Sequence, residues 1–113
     1  MHPADVALVR FPFTTLDATK KRPALVLSHT ALGSHVGLWT VAMITSRVEG
    51  LRFQGDVLLQ DWEQCRLIHP SLVRLSKLAT VETDLLEKHL GTLSPRDLKE
   101  IKRALRVLYR FWL

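Results

Sequence analysis

Apolar positions in this chain fall in short runs broken by turn residues, which predicts strands over most of its length. Asp5 to Phe11 (DVALVRF) is apolar on both faces, as a central or barrel strand is, and Pro12 ends it. Ala24 to Ser28 reads as a second strand, antiparallel to the first, and Leu38 to Thr45 as a third. Asp56 to Leu59 predicts a fourth. Leu72 to Leu78 alternates, with Leu72, Arg74, Ser76 and Leu78 facing one way and Val73, Leu75 and Lys77 the other. Asp61 to Cys65 suits a single helical turn. Glu82 to Leu90 reads as a short helix with Gly91 as its stop. A second helix has clearer ends: Ser94 as N-cap, Pro95 at the first helical position and Asp97 completing an S-x-x-D box. Its apolar stripe is Leu98, Ile101, Leu105, Leu108 and Trp112. The sum is a mainly β fold with a C-terminal helix. It predicts a small, strongly bent antiparallel sheet or half-open barrel, with the helix over one opening or edge.

Composition sharpens this reading. At 113 residues, 47% hydrophobic and 24% charged, residues 1–113 read as one globular domain. The net charge of +5, if focused on one face, favours a phosphate-rich partner. Cys65 is the sole cysteine, so neither an internal disulfide nor a cysteine zinc site is expected, and a reducing cytoplasm is the expected home. No apolar run approaches the ~20 residues that span a bilayer, and no signal pattern opens the chain. The five histidines, His2, His29, His35, His69 and His89, are scattered, so no metal is expected. Lys99, Lys102, Arg103, Arg106 and Arg110 read as the solvated face of the last helix.

One junction carries candidate chemistry. Lys20-Lys21-Arg22 leads into Pro23 and then the second strand. Proline fits only at a strand's first residue or on an edge, and it forces extended backbone on Arg22. Arg22 is therefore expected at the mouth of a rigid strand with its guanidinium outside, an arrangement suited to an anion. The plainer reading of a basic triplet is a solvated loop end. The loop before it, Phe13 to Lys21, is long for a hairpin, and long loops often cover a site.

Read together, DVALVRFPFT at the start, Lys21-Arg22-Pro23-Ala24-Leu25-Val26-Leu27-Ser28 and Ile44-Thr45-Ser46 resemble the PemK/MazF toxins of type II toxin–antitoxin systems. Pro70-Ser71-Leu72-Val73-Arg74, Lys77-Leu78 and Leu90-Gly91-Thr92-Leu93-Ser94 continue the likeness, in order, over nearly the whole chain. The resemblance implies an SH3-like barrel with helical additions, a homodimer, and a metal-independent, sequence-specific endoribonuclease acting on single-stranded RNA without a cofactor. It also implies a cognate antitoxin whose flexible tail fills the RNA channel. The family's catalytic arginine falls on Arg22 and its threonine on Thr45, beside Ser46. A second arginine used by some members falls on Arg74. Phe13, Lys20, Lys21, Arg47, Arg74 and Lys77 become candidate RNA contacts, and His29 or His69 a candidate proton acceptor. Two positions depart from the pattern: Ala4 stands where the family has glycine, and Ser76 where some members carry an acid. A CcdB-like gyrase binder on the same barrel, or an inactive homologue that only pairs with its antitoxin, are the alternatives; the Arg22–Thr45 pair argues for the nuclease.

Overall fold

The computed structural model describes residues 1–11, 20–33, 36–50 and 52–113. Its strands are β1 (Asp5–Arg10), β2 (Lys21–Ala31), β3 (Gly37–Thr45), β4 (Asp56–Leu58), β5 (Leu72–Glu82) and β6 (Leu86–Thr92), followed by helix α1 (Pro95–Leu108). They form one six-stranded sheet, ordered β4-β5-β3-β2-β1-β6, with every pairing antiparallel. β4 and β6 are its edges and do not pair with each other, so the barrel is half open. A 3-10 turn, Trp62–Cys65, reaches across the gap to β6: Gln64 donates from Nε2 to the Thr92 carbonyl at 3.3 Å.

The central strands are buried on both sides, as β1's doubly apolar run predicts. Val6, Leu25, Ala42, Ile44, Val73 and Leu75 build one core, under α1. Ala7, Val9, Phe11, Ala24, Val26, Val41 and Val81 build a second on the opposite face. α1 seals the first with Leu98, Ile101, Leu105 and Leu108. Its cap is as expected: the Asp97 amide donates to Ser94 Oγ at 3.3 Å, with Pro95 in the first turn.

Three expectations change. Glu82 to Leu90 is not a helix: β5 runs to Glu82, a 3-10 turn covers Thr83–Leu85, and β6 follows. Gly91 is accordingly no helix stop. A Cβ there would lie 2.7 Å from the Gln64 carbonyl oxygen and 2.8 Å from Cys65 Cα, so the glycine admits the crossing 3-10 turn. The apolar stripe of α1 ends at Leu108, and Trp112 is 86% exposed beyond it.

The third change concerns β5. Its pairing with β3 jumps from Ala42↔Leu78 to Met43↔Arg74, so Leu75, Ser76 and Lys77 form a bulge. Slipping an odd number of residues reverses the side each residue faces. Simple alternation sets Arg74 and Lys77 on opposite sides; the bulge turns both to the second core's side, where they line one cleft.

Candidate active site

The Arg22–Pro23 junction explains the site's geometry. Pro23 pairs with Leu8 of β1, but the ladder from β2 to β3 begins only at Ala24↔Met43. Proline has no N–H to extend that ladder. Continuing the register two residues sets Arg22 opposite Thr45, beyond the last ladder pair. The strand starts at Lys21, earlier than the apolar run suggests, and Arg22 is exposed as expected.

Two clefts meet at this notch. The larger, about 590 Å³, has Phe11, Met43 and Ala79 as apolar floor and Arg22, Thr45, Arg74 and Lys77 as polar wall. The smaller, about 320 Å³, is lined by Lys21, Arg22, Thr45, Ser46, Arg47 and His69, with Ile44, Leu67 and Ile68 among its apolar residues. Arg22 and Thr45 belong to both, so they form the ridge between them. No carboxylate lines either cleft among the described residues. The cations of α1 line neither cleft.

Local hydrogen bonds orient the ridge. The Arg47 amide donates to Thr45 Oγ1 at 3.1 Å. With a lone pair so used, the hydroxyl's hydrogen is left to donate to a ligand. Lys21 pairs with Glu87 at 2.7 Å, beside Arg10 at 3.2 Å. Arg74 is bound bidentately by Asp56, at 3.0 Å to Nε and 3.1 Å to Nη2. Burial works against the Asp56 charge, but Arg74 and the Phe53 amide outweigh it and hold the carboxyl below its usual range. Sequence reasoning overlooked Asp56. It sits directly across the ladder from Arg74, so an acid–arginine cross-strand match was the available signal. Phe53, whose ring lies 4.6 Å from the Arg74 guanidinium carbon, was overlooked as well.

Of the other candidates, Lys20 is exposed and lines neither cleft. Phe13 lies outside the described residues. His29 is not near the ridge. It stands seven residues along β2 from Arg22 (~23 Å of strand) and stacks on Trp39 with centroids 3.8 Å apart. His69 does line the smaller cleft. Among the described residues, no group of three or more His, Cys, Asp or Glu side chains converges as metal ligands would.

The class is thus a small, half-open antiparallel sheet with one C-terminal helix and a cationic, two-lobed cleft that meets at an arginine–threonine ridge. The family described as "PemK-like, MazF-like toxin of type II toxin-antitoxin system" matches residues 2–109, and the chain belongs to it. It is therefore a toxin of a type II toxin–antitoxin system, of the endoribonuclease kind. Solved structures of similar fold include a mycobacterial endoribonuclease in complex with its cognate antitoxin (17% identity, 95% of this chain and 92% of that one, TM-score 0.69). Mycobacterium tuberculosis toxin MazF-mt6 (24%, 94% and 96%, 0.70) and MazF of Deinococcus radiodurans (19%, 96% and 94%, 0.65) are others. No curated protein sequence matches.

Proposed function

We propose that the protein cuts single-stranded RNA, sequence-specifically and without a metal, by directing a 2′-hydroxyl onto its own adjacent phosphate. The observation that carries this reading is the shared ridge: Arg22 and Thr45 line both lobes of one cationic cleft. RNA laid across the two lobes presents a backbone phosphate to that ridge. Arg22 donates its planar fork to the non-bridging oxygens and Thr45 adds a hydroxyl, so both stabilise the charge that builds at phosphorus. The 2′-oxygen bonds to phosphorus, the bond to the 5′-oxygen breaks, and the 5′-oxygen takes up a proton. Products are a 2′,3′-cyclic phosphate and a 5′-hydroxyl. The nucleophile belongs to the substrate, so the reaction requires no cofactor. His69 is the proposed acceptor of the 2′-proton. It lines the smaller cleft together with Arg22 and Thr45, and a neutral imidazole nitrogen can accept a proton. Ser46, Arg47, Arg74, Lys77 and Lys21 supply the remaining polar contacts along the strand. A homodimer, a cognate antitoxin that occupies the same cleft, and a cytoplasmic setting complete the proposal.

The test is incubation of purified protein with mixed-sequence single-stranded RNA and end-group analysis of the fragments. Cyclic phosphate and 5′-hydroxyl ends, formed equally in EDTA, are expected; 5′-phosphate ends or complete loss on chelation would overturn the chemistry. Arg22→Ala is expected to reduce cleavage by about 10²–10³-fold or more with the fold intact. His69→Gln is expected to lower the cleavage rate by about 10²–10⁴-fold with RNA affinity kept, and an unchanged rate would remove His69 from the role of proton acceptor.

A further inference from the structure

The Asp56 carboxylate does more than neutralise an arginine. Its Oδ1 accepts from Arg74 Nε at 3.0 Å; its Oδ2 accepts from Arg74 Nη2 at 3.1 Å and from the Phe53 amide at 3.0 Å. The Asp56 amide in turn donates to the Phe53 carbonyl at 3.1 Å. One carboxylate, only 2% exposed, thus holds the turn that carries Phe53 and the guanidinium on which Phe53 rests. Gly55, with a φ of 93°, makes the turn, and its carbonyl accepts the Leu75 amide at 3.1 Å, so the bulge of β5 is pinned to the same unit. Phe53 is nevertheless 57% exposed. An aromatic ring fixed from behind, open in front and adjacent to a cleft-lining guanidinium has the form of a base-stacking platform. With Nε and Nη2 committed to Asp56, Nη1 is the nitrogen Arg74 keeps for a ligand.

We infer that Phe53, Asp56 and Arg74 form one nucleotide subsite on the rim of the larger cleft: Arg74 receives a phosphate, the ring of Phe53 receives a neighbouring base, and Asp56 positions both. The inference rests on the RNA reading above, but its test does not need cleavage. Asp56 touches no substrate and is a positioning residue. It also gives Ser76 a rationale: the carboxylate beside Arg74 comes from the neighbouring strand instead of from β5.

The test is titration of a fluorescent mixed-sequence 2′-O-methyl oligoribonucleotide, which binds without a nucleophile, into the full protein at several salt concentrations. Phe53→Ala is expected to weaken binding roughly tenfold with the salt slope unchanged. Replacing one nucleotide of the probe by an abasic one, scanned along the strand, should cancel that loss at one position. Arg74→Ala should weaken binding and flatten the salt slope by about 0.7. Asp56→Asn should act in the same direction, Asp56→Glu should restore part of the loss, and, since Asp56 acts only through the other two, adding Asp56→Asn to Phe53→Ala/Arg74→Ala should cost nothing further. Wild-type affinity in Phe53→Ala would overturn the subsite, as would a further loss when Asp56→Asn is added to Phe53→Ala/Arg74→Ala, or a change in oligomeric state without a change in affinity. If Asp56→Asn fails to fold, Phe53→Ala with the abasic scan still decides. Tight binding by a wild type that never cuts RNA would refute the nuclease reading and leave the subsite standing.

Discussion

Ala4 carries a φ of 77°, a conformation that costs an L-residue with a Cβ roughly 1 kcal/mol or more. Its backbone is held at both ends: the amide donates to the Val26 carbonyl at 2.9 Å, and its carbonyl accepts from the Leu93 amide at 3.0 Å. The chain cannot relax there without losing bonds that tie the N-terminus to β2 and to the start of α1. This is the position at which the family carries glycine, so the departure has an energetic meaning. Ala4→Gly is expected to stabilise the protein by about 0.5 kcal/mol, since relief of the strain exceeds glycine's extra unfolded-state freedom of about 0.4–1 kcal/mol only modestly. That amounts to a rise of about 2 °C in Tm. Ala4→Val should lower Tm instead, because a β-branched side chain tolerates positive φ worst. Thermal melting of both variants checks the pair; a Tm that falls in Ala4→Gly would refute the strain.

At the scale of elements, the legible parts were those set by local chemistry. Pro23 stands at the mouth of β2, and Ser94 with Pro95 starts α1, because each acts within a few residues of itself. What the sequence hid was set by contacts from elsewhere. Gly91 looked like a helix stop, but its role is to admit the 3-10 turn from a remote segment. The β5 bulge was invisible because the alternation of Leu72 to Leu78 is unbroken; the register shift appears only in pairing with β3. Arg22 and Thr45 could be selected as a pair by family likeness, but their meeting follows from the β2–β3 register and the ladder's end at Pro23. Asp97 is the clearest case. It reads as the acid of a capping box, yet its buried carboxylate accepts the Gln60 amide at 2.8 Å and the Asp61 amide at 2.9 Å, bonding α1 to the segment after β4. Asp97→Ala would strand two amides at roughly 1–3 kcal/mol each, so a loss of about 2–6 kcal/mol is expected. A simple cap residue would cost nearer 1 kcal/mol. Urea unfolding distinguishes the two; a loss under 1 kcal/mol would return Asp97 to the role of a cap.

At the scale of the molecule, Asp5, Asp56 and Asp61 also fasten distant segments, and each is held below the ordinary aspartate range. For Asp5, burial raises the pKa but is outweighed by the Thr92 hydroxyl, the His2 amide and His89. For Asp56, burial is likewise outweighed by Arg74 and the Phe53 amide. Asp61 is lowered to about 2, chiefly by Arg96, then Ser94. Each is more acidic folded than unfolded. As pH falls through about 4, the unfolded chain takes up protons first and the folded state loses ground. The stabilisation is fully present above about pH 5 and, for Asp61, is withdrawn progressively down to about pH 2. The urea midpoint should therefore be flat from pH 7 to 5 and fall steeply below 4. Asp61→Asn should make that fall shallower. A midpoint at pH 3 equal to that at pH 7 would refute the linkage. The site shares in it, since Asp56 both joins β4 to β5 and orients Arg74 in the larger cleft. Asp56→Asn should thus weaken RNA binding at pH 7, where the wild-type carboxylate is charged, and wild-type affinity in that variant at equal salt would refute the coupling.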